Sequence, residues 1–307
     1  MKFSFVLPAY KGRFLSESIQ SILNQTYEDF ELVVVDDCSP DPIRNIVSQF
    51  NDNRITYYRN DENIGGKDLV AQWNHCLNYA KGEYVILATD DDLYEPSFLS
   101  SFVPLVEKYP HVTLFRARIL SVNSNNEIIN VDRCYKEFLS PLEFRYHQMH
   151  GMKGGVPQYV FHRDSLLEKG GFIYLPCGWA SDDATASMMS SFGFVNSQEH
   201  LARFRWSDIN ISGNYNHSLE KFMARLLFGE WLNSHPVDLS VADEWKDFYI
   251  QNVVKFMPIY HKQSLITTLV PMTWVQWLKC MPKLWNCKYM TLKDKGSVMF
   301  RSILKRI

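Results

Sequence analysis

The chain has no run of the ~20 apolar residues that a membrane-crossing helix requires; its nearest approach, Ser264 to Leu278, is short and interrupted by Pro271. It has no C-x-x-C pair and no Cys/His array at zinc-finger spacing. The six cysteines, Cys38, Cys76, Cys134, Cys177, Cys280 and Cys287, are scattered and read as reduced thiols of a cytosolic protein. A dominant basic charge is also missing. The formal net charge of -2 argues against a general nucleic-acid binder, which neutralises phosphates with a basic surface. Met1 to Pro8 carries neither the long apolar core nor the small-residue cleavage site of a signal peptide and reads instead as a first buried strand. The expectation is a cytoplasmic active domain. No G-x-G-x-x-G follows that strand, where Pro8-Ala9-Tyr10-Lys11-Gly12 stands. That argues against a nicotinamide-dependent oxidoreductase, and against a sugar nucleotidyltransferase, which would need a glycine-rich basic loop there.

What is present is an alternation. Apolar runs at Phe3 to Leu7, Leu32 to Val35, Ile55 to Arg59, Tyr84 to Ala88 and His111 to Arg116 are separated by segments with helical spacing, such as Leu15, Ile19, Ile22 and Leu23, or Val70, Trp73 and Leu77. Continuous apolar runs between amphipathic helices predict an α/β architecture, a mostly parallel sheet flanked by helices. From about 120 to 210 the pattern loosens around glycines suited to ligand-covering loops. From about 215 onward the spacing is helical. Between Lys279 and Ile307 eight Lys/Arg stand against one Asp, interleaved with Trp285, Tyr289, Phe300 and Leu304. That mixture suits peripheral contact with an anionic membrane, or a solvated tail packed on the domain.

The residues with the most chemistry sit where strands end, which in an open parallel sheet is where ligands bind. Asp90-Asp91-Asp92 follows the run ending at Ala88. Carboxylates this close raise one another's pKa, a strain a hard divalent cation relieves; a solvated acidic turn before the next helix is the alternative. Tyr10 could stack on a base, and Asp37 could accept from a ring N–H such as N3 of uracil, although Asp36-Asp37 also suits a strand-end Asx turn. Asn63-Ile64-Gly65-Gly66-Lys67 offers a glycine turn, a helix start and a cation for a diphosphate.

Together the segments LPAYK (Leu7 to Lys11), SIQSILNQTYEDFELVVVDDCSPD (Ser18 to Asp41), NIGG (Asn63 to Gly66), WNHCLNYAKGEY (Trp73 to Tyr84) and ATDDDLYEP (Ala88 to Pro96) resemble family 2 of the glycosyltransferases over the first 120 residues, with a weaker likeness to about 212. The resemblance implies a GT-A fold and an inverting enzyme that uses a nucleotide-diphosphate sugar, a UDP-sugar on the strength of Asp37, and a saccharide or lipid-linked acceptor. It implies a catalytic domain over 1–212, with a nucleotide part (1–120) and an acceptor part (121–212), and a helical extension over 213–307. Pro8, Ala9 and Tyr10 would lie against base and ribose, and Asp37 would read the uracil edge. Lys67 would approach the phosphates. Asp90 would contact ribose or metal, Asp91 would bind Mn²⁺ or Mg²⁺, and Asp92 would face solvent. Asp183 would be the base, with Asp182 and Trp179 facing the acceptor unless Asp182 caps the following helix. Two departures stand out: Lys67-Asp68 where relatives often have Arg, and Ser207 where they often have His, with His217 a distant substitute. A non-catalytic nucleotide-sugar-binding module is the rival reading.

Overall fold

The structure, a computed structural model, describes residues 2–152, 154–208, 217–240 and 243–305. The described residues build one mixed sheet from β1 (Phe3–Ala9), β2 (Phe30–Asp36), β3 (Ile55–Arg59), β4 (Tyr84–Leu87), β5 (Leu93–Tyr94), β6 (Leu114–Val122), β7 (Ile128–Val131), β8 (Phe138–Leu139), β9 (Tyr159–His162) and β10 (Phe194–Arg205). The strand order is β3-β2-β1-β4-β9-β6-β10-β5, with β7 beside β6 and β8 beside β10. β1 to β4 pair in parallel. β9 then enters antiparallel between β4 and β6, and β6 and β10 resume the first direction.

Helices α1 (Leu15–Leu23), α2 (Ile43–Val47), α3 (Leu69–Leu77), α4 (Phe98–Lys108), α5 (Pro141–Met149), α6 (Arg163–Glu168) and α7 (Ser181–Met189) flank the sheet. The period-2 geometry of a strand divides its side chains between two cores. Phe3, Phe5 and Leu7 bury against Leu15, Ile19 and Ile22 of α1 and Phe98 and Phe102 of α4. Val6, Val33, Val35 and Leu87 bury against Val70, Trp73 and Leu77 of α3 and Met189 of α7. This double burial is why the parallel strands read as unbroken apolar runs.

Beyond the sheet lie α8 (Ser218–Ser234), α9 (Lys246–Phe248), a widened turn over Tyr249–Val253, α10 (Val254–Leu269), α11 (Trp274–Asn286) and α12 (Leu292–Leu304). The boundary expected at 212 lies outside the described residues. α8 is tied to the sheet-bearing part: Ala224, Phe228 and Leu232 share a core with Leu142, Met149, Ala180 and Ala184. The other side of α8 joins α10, α11 and α12 through Phe222, Leu265, Trp277, Leu284 and Val298. Among the described residues no helix is long and apolar enough to cross a membrane.

Candidate active site

Register brings the strand ends together. Ala9 lies opposite Asp36, and Val6 opposite Leu87, so the residues after β1, β2 and β4 emerge at one level. Hydrogen bonds close the convergence. The backbone N–H groups of Tyr10 and Lys11 donate to Asp90 Oδ2 at 2.9 and 2.7 Å, and Asp37 N–H donates to the Ala9 carbonyl at 2.9 Å. Tyr10 remains 39% exposed at the rim. Ala9, expected against the nucleotide, is fully buried in the sheet core, so its methyl cannot touch one.

All three adjacent carboxylates are raised, with burial rather than mutual repulsion as the first cause. Burial, then the charge of Asp91, pushes Asp90 up to about 6, against the two backbone N–H groups that favour its anion. Burial also raises Asp91, opposed by a Thr89 hydrogen bond and the charges of Lys11 and Arg205. Asp92 corrects an expectation, for it is completely buried rather than facing solvent. Its Oδ2 accepts from Thr89 Oγ1 at 2.6 Å and its Oδ1 from Arg205 N–H at 2.8 Å, and burial followed by the Asp91 charge holds its carboxyl well above the usual range. Arg205, fully buried itself, also donates through Nε to the Asp91 carbonyl and through Nη2 to Glu17 at 2.8 Å. Among the described residues no ion pair closes on these three aspartates. Nor do three His, Cys, Asp or Glu side chains gather as a self-sufficient metal cage. Asp90 and Asp91, one or two carboxylates at a strand tip, are the residues that could hold a Mg²⁺-like ion whose shell is otherwise substrate phosphates and water.

Asp36 and Asp37 both serve the local backbone and its neighbours. Asp36 is the Asx-type turn, accepting from Ser39 N–H at 2.9 Å and pairing with Tyr57 and Arg59. Asp37, 3% exposed, accepts from Asn60 Nδ2 and Ile64 N–H through Oδ1 and from Gly65 N–H through Oδ2, at 2.7 to 2.9 Å. It anchors the glycine turn to the strand end, and a Cβ on Gly65 would stand only 2.8 Å from Asp37 Oδ2. The helix start expected to meet a diphosphate is already taken. Asp68 caps α3 by accepting from Val70 and Ala71 N–H at 3.0 Å, and Lys67 pairs with Glu62 on the surface.

The second acidic pair opens α7. Cys177, Gly178 and Ala180 all take positive φ, a tight turn that only the glycine adopts freely. At Gly178 a Cβ would meet Trp73 and Leu69 of α3, so α3 touches both this turn and, through Gln72 and Asn60, the Asp37 anchor. Ala180 occupies the N-cap position, so Asp182 is not the cap; both aspartates stand in the first turn, where the helix dipole favours negative charge. Asp182 accepts from Asp183 N–H at 2.9 Å, and burial, then the Asp183 charge, pushes it up to about 7. Asp183 Oδ2 pairs with Arg225 Nη1 of α8 at 3.1 Å, and its carbonyl accepts from Gln148 Nε2 and Ser187 Oγ, both at 2.9 Å. Trp179 lies beneath Lys221 and Arg225, whose cationic groups stand 4.5 and 5.8 Å from its ring centre.

Sequence reasoning missed Lys11, Arg205 and Arg225 as site residues. Lys11 and Arg205 lie inside segments that carried signal. Arg225 had none, because nothing local distinguishes it on an amphipathic helix. Ser207 opens beside Arg205 onto a shallow depression of about 450 Å³ shared with Asn123, Ser124 and Trp206, and His217 stands just ahead of α8.

A family model described as "Glycosyl transferase family 2" matches residues 4–166, more than half of the chain. Putative glycosyltransferase EpsE of Bacillus subtilis is 39% identical over 111 residues, 36% of this chain and 40% of that one. The UDP-Glc:alpha-D-GlcNAc-diphosphoundecaprenol beta-1,3-glucosyltransferase WfgD of Escherichia coli is 29% identical over 147 residues, 48% of this chain and 54% of that one. The chain thus spans about half the length of these two relatives. The fold is that of S. aureus TarS 1-349, solved in complex with UDP-GlcNAc: TM-score 0.71 at 18% identity, over 100% of this chain and 88% of that one.

Proposed function

The chain belongs to glycosyl transferase family 2 and is a glycosyltransferase of GT-A fold; from that premise we propose that it inverts configuration while moving a sugar from a UDP-linked donor to a hydroxyl of a saccharide or lipid-linked acceptor in polysaccharide biosynthesis. The observation that carries the reading is the lock of Tyr10 and Lys11 N–H onto Asp90, which sets the β1 and β4 tips around one crevice. The uridine donor is supported by the UDP-Glc in the name of WfgD and by the UDP-GlcNAc complex of TarS; Asp37, whose two oxygens hold Asn60 and the glycine turn, lends it no support. A lipid-linked acceptor is supported by the diphosphoundecaprenol in the same relative's name.

In the proposed step Asp183 takes the proton of the acceptor hydroxyl as its oxygen attacks the anomeric carbon, and the bond from that carbon to the diphosphate breaks with its electron pair leaving on UDP. A positioned base of this kind contributes about 10²- to 10⁴-fold. Asp91, with Asp90 beside it, would hold Mn²⁺ or Mg²⁺, which would supply the positive charge that neutralises the departing diphosphate. Tyr10 stacks on the base, and Trp179 and Asp182 border the acceptor. Work at the cytoplasmic face of a membrane is part of the proposal, resting on the lysine-flanked apolar stripe Trp274, Val275, Leu278 and Trp285 of α11, all exposed.

The test is a panel of nucleotide sugars with Mn²⁺, read by thermal shift and then by donor hydrolysis or transfer. Stabilisation and turnover with a UDP-sugar are expected. Binding without turnover for any donor would favour a non-catalytic module instead.

A further inference from the structure

The seam of α5, α8 and α10 beside Asp183 holds a guanidinium with no visible purpose. Arg145 is 3% exposed, and its Nε and Nη1 are enclosed without any hydrogen-bond acceptor. It shares the inward face of α5 with Leu142 and Met149, which pack on Ala224 and Phe228 of α8. Gln148, three residues on, grips the Asp183 carbonyl. The Tyr260 hydroxyl of α10 lies in the fields of Arg225, Asp183 and Arg145 together. Lys221, one turn ahead of Arg225, joins it over the Trp179 ring. Against them stand Asp183 and Asp182, the latter pushed up to about 7. A buried cation without a counter-ion is costly, and burial pulls the Arg145 guanidinium below its usual range. Such a group is retained most economically where an anion arrives from outside.

We propose that the acceptor carries an anionic group, a phosphate ester or a sugar carboxylate, next to the attacked sugar, and that Arg145 and Arg225 receive it. The inference rests on the transfer reading and deepens it. In the free protein Arg225 is committed to Asp183 Oδ2; an acceptor anion that shares Arg225 releases that oxygen for the hydroxyl proton. Base activation is then coupled to arrival of the correct acceptor, with Arg145 as the specificity-determining residue and Arg225 the positioning one.

The test uses the full chain. N-acetylglucosamine 1-phosphate, glucuronate and methyl glucoside are titrated by calorimetry, each with and without saturating UDP and Mn²⁺. One of the anionic probes should bind about tenfold tighter than the neutral one, the value of one charge-assisted contact; which of them wins separates phosphate from carboxylate. Arg145→Gln should remove the preference while its UDP affinity stays unchanged, and it should melt no lower than wild type because it deletes an unpartnered charge. Arg145→Lys, keeping charge without the fork, should fall between. Equal binding of all three probes, a preference that survives Arg145→Gln, or a marked drop in its melting temperature would overturn the proposal. Absence of UDP binding to wild type would instead count against the transfer reading, and the titrations without UDP judge the anion site separately.

Discussion

Asp90-Asp91 at the tip of β4 and Asp182-Asp183 at the start of α7 are the same dipeptide, but the chain surrounds them differently. The first pair is met by backbone N–H groups, a threonine and the field of Lys11, and among the described residues no ion pair closes on it. The second is met by Arg225 at 3.1 Å. Backbone dipoles hold an acidic pair in place but leave net negative charge in a buried site, which favours an incoming cation. A guanidinium neutralises that charge and occupies Asp183 Oδ2 until the partner is shared. The two pairs therefore differ in their partners, which suits the metal-holding role proposed for the first and the base role proposed for the second.

The largest expected effect separates the pairs by chemistry. Asp183→Asn should lower kcat by about 10³-fold, within the range for loss of a positioned general base, with UDP affinity in Mn²⁺ unchanged; a parallel loss of UDP binding would give both pairs the same role. Next comes the partner itself. Arg225→Gln strands a half-buried carboxylate and should cost about 2 kcal/mol in a denaturation midpoint, whereas Lys67→Ala, at an exposed pair, should change nothing measurable.

A smaller effect follows pH. Asp90 is raised to about 6, so without metal it favours the folded state while protonated, a contribution fully present below the unfolded carboxylate pKa near 4 and lost as pH climbs through about 6. Wild type should therefore lose stability relative to Asp90→Asn between pH 4 and 7, and Mn²⁺ with UDP should reverse the trend; a pH-independent difference would remove the strain from the site. Smallest is the placement of the acceptor side. Leu278→Glu on the exposed face of α11 should weaken sedimentation with anionic vesicles by about threefold without affecting UDP binding, and equal pelleting of both proteins would detach the tail from any membrane role.

Much of the nucleotide side was legible because its determinants are local. Leu32 to Val35 and Tyr84 to Ala88 read as buried strands from composition alone, and parallel strands necessarily deliver their next residues to one edge. The antiparallel entry of β9 between β4 and β6 was not, since Tyr159 to His162 carries no mark of its partners. Distance in the chain hid the rest. Asp92 is buried because Arg205, 113 residues away, supplies its N–H, and Asp183 is paired because α8, 42 residues on, brings Arg225 to it. Asp68 illustrates a local rule outweighing a plausible ligand: an aspartate just ahead of a helix satisfies its first N–H groups, leaving less for a phosphate.

The most direct test is UDP titration, with and without Mn²⁺, into wild type, Asp91→Ala and Asp183→Asn. Tight binding that requires Mn²⁺, is lost in Asp91→Ala and persists in Asp183→Asn is the predicted result. Affinity indifferent to Mn²⁺, or undiminished in Asp91→Ala, would contradict it.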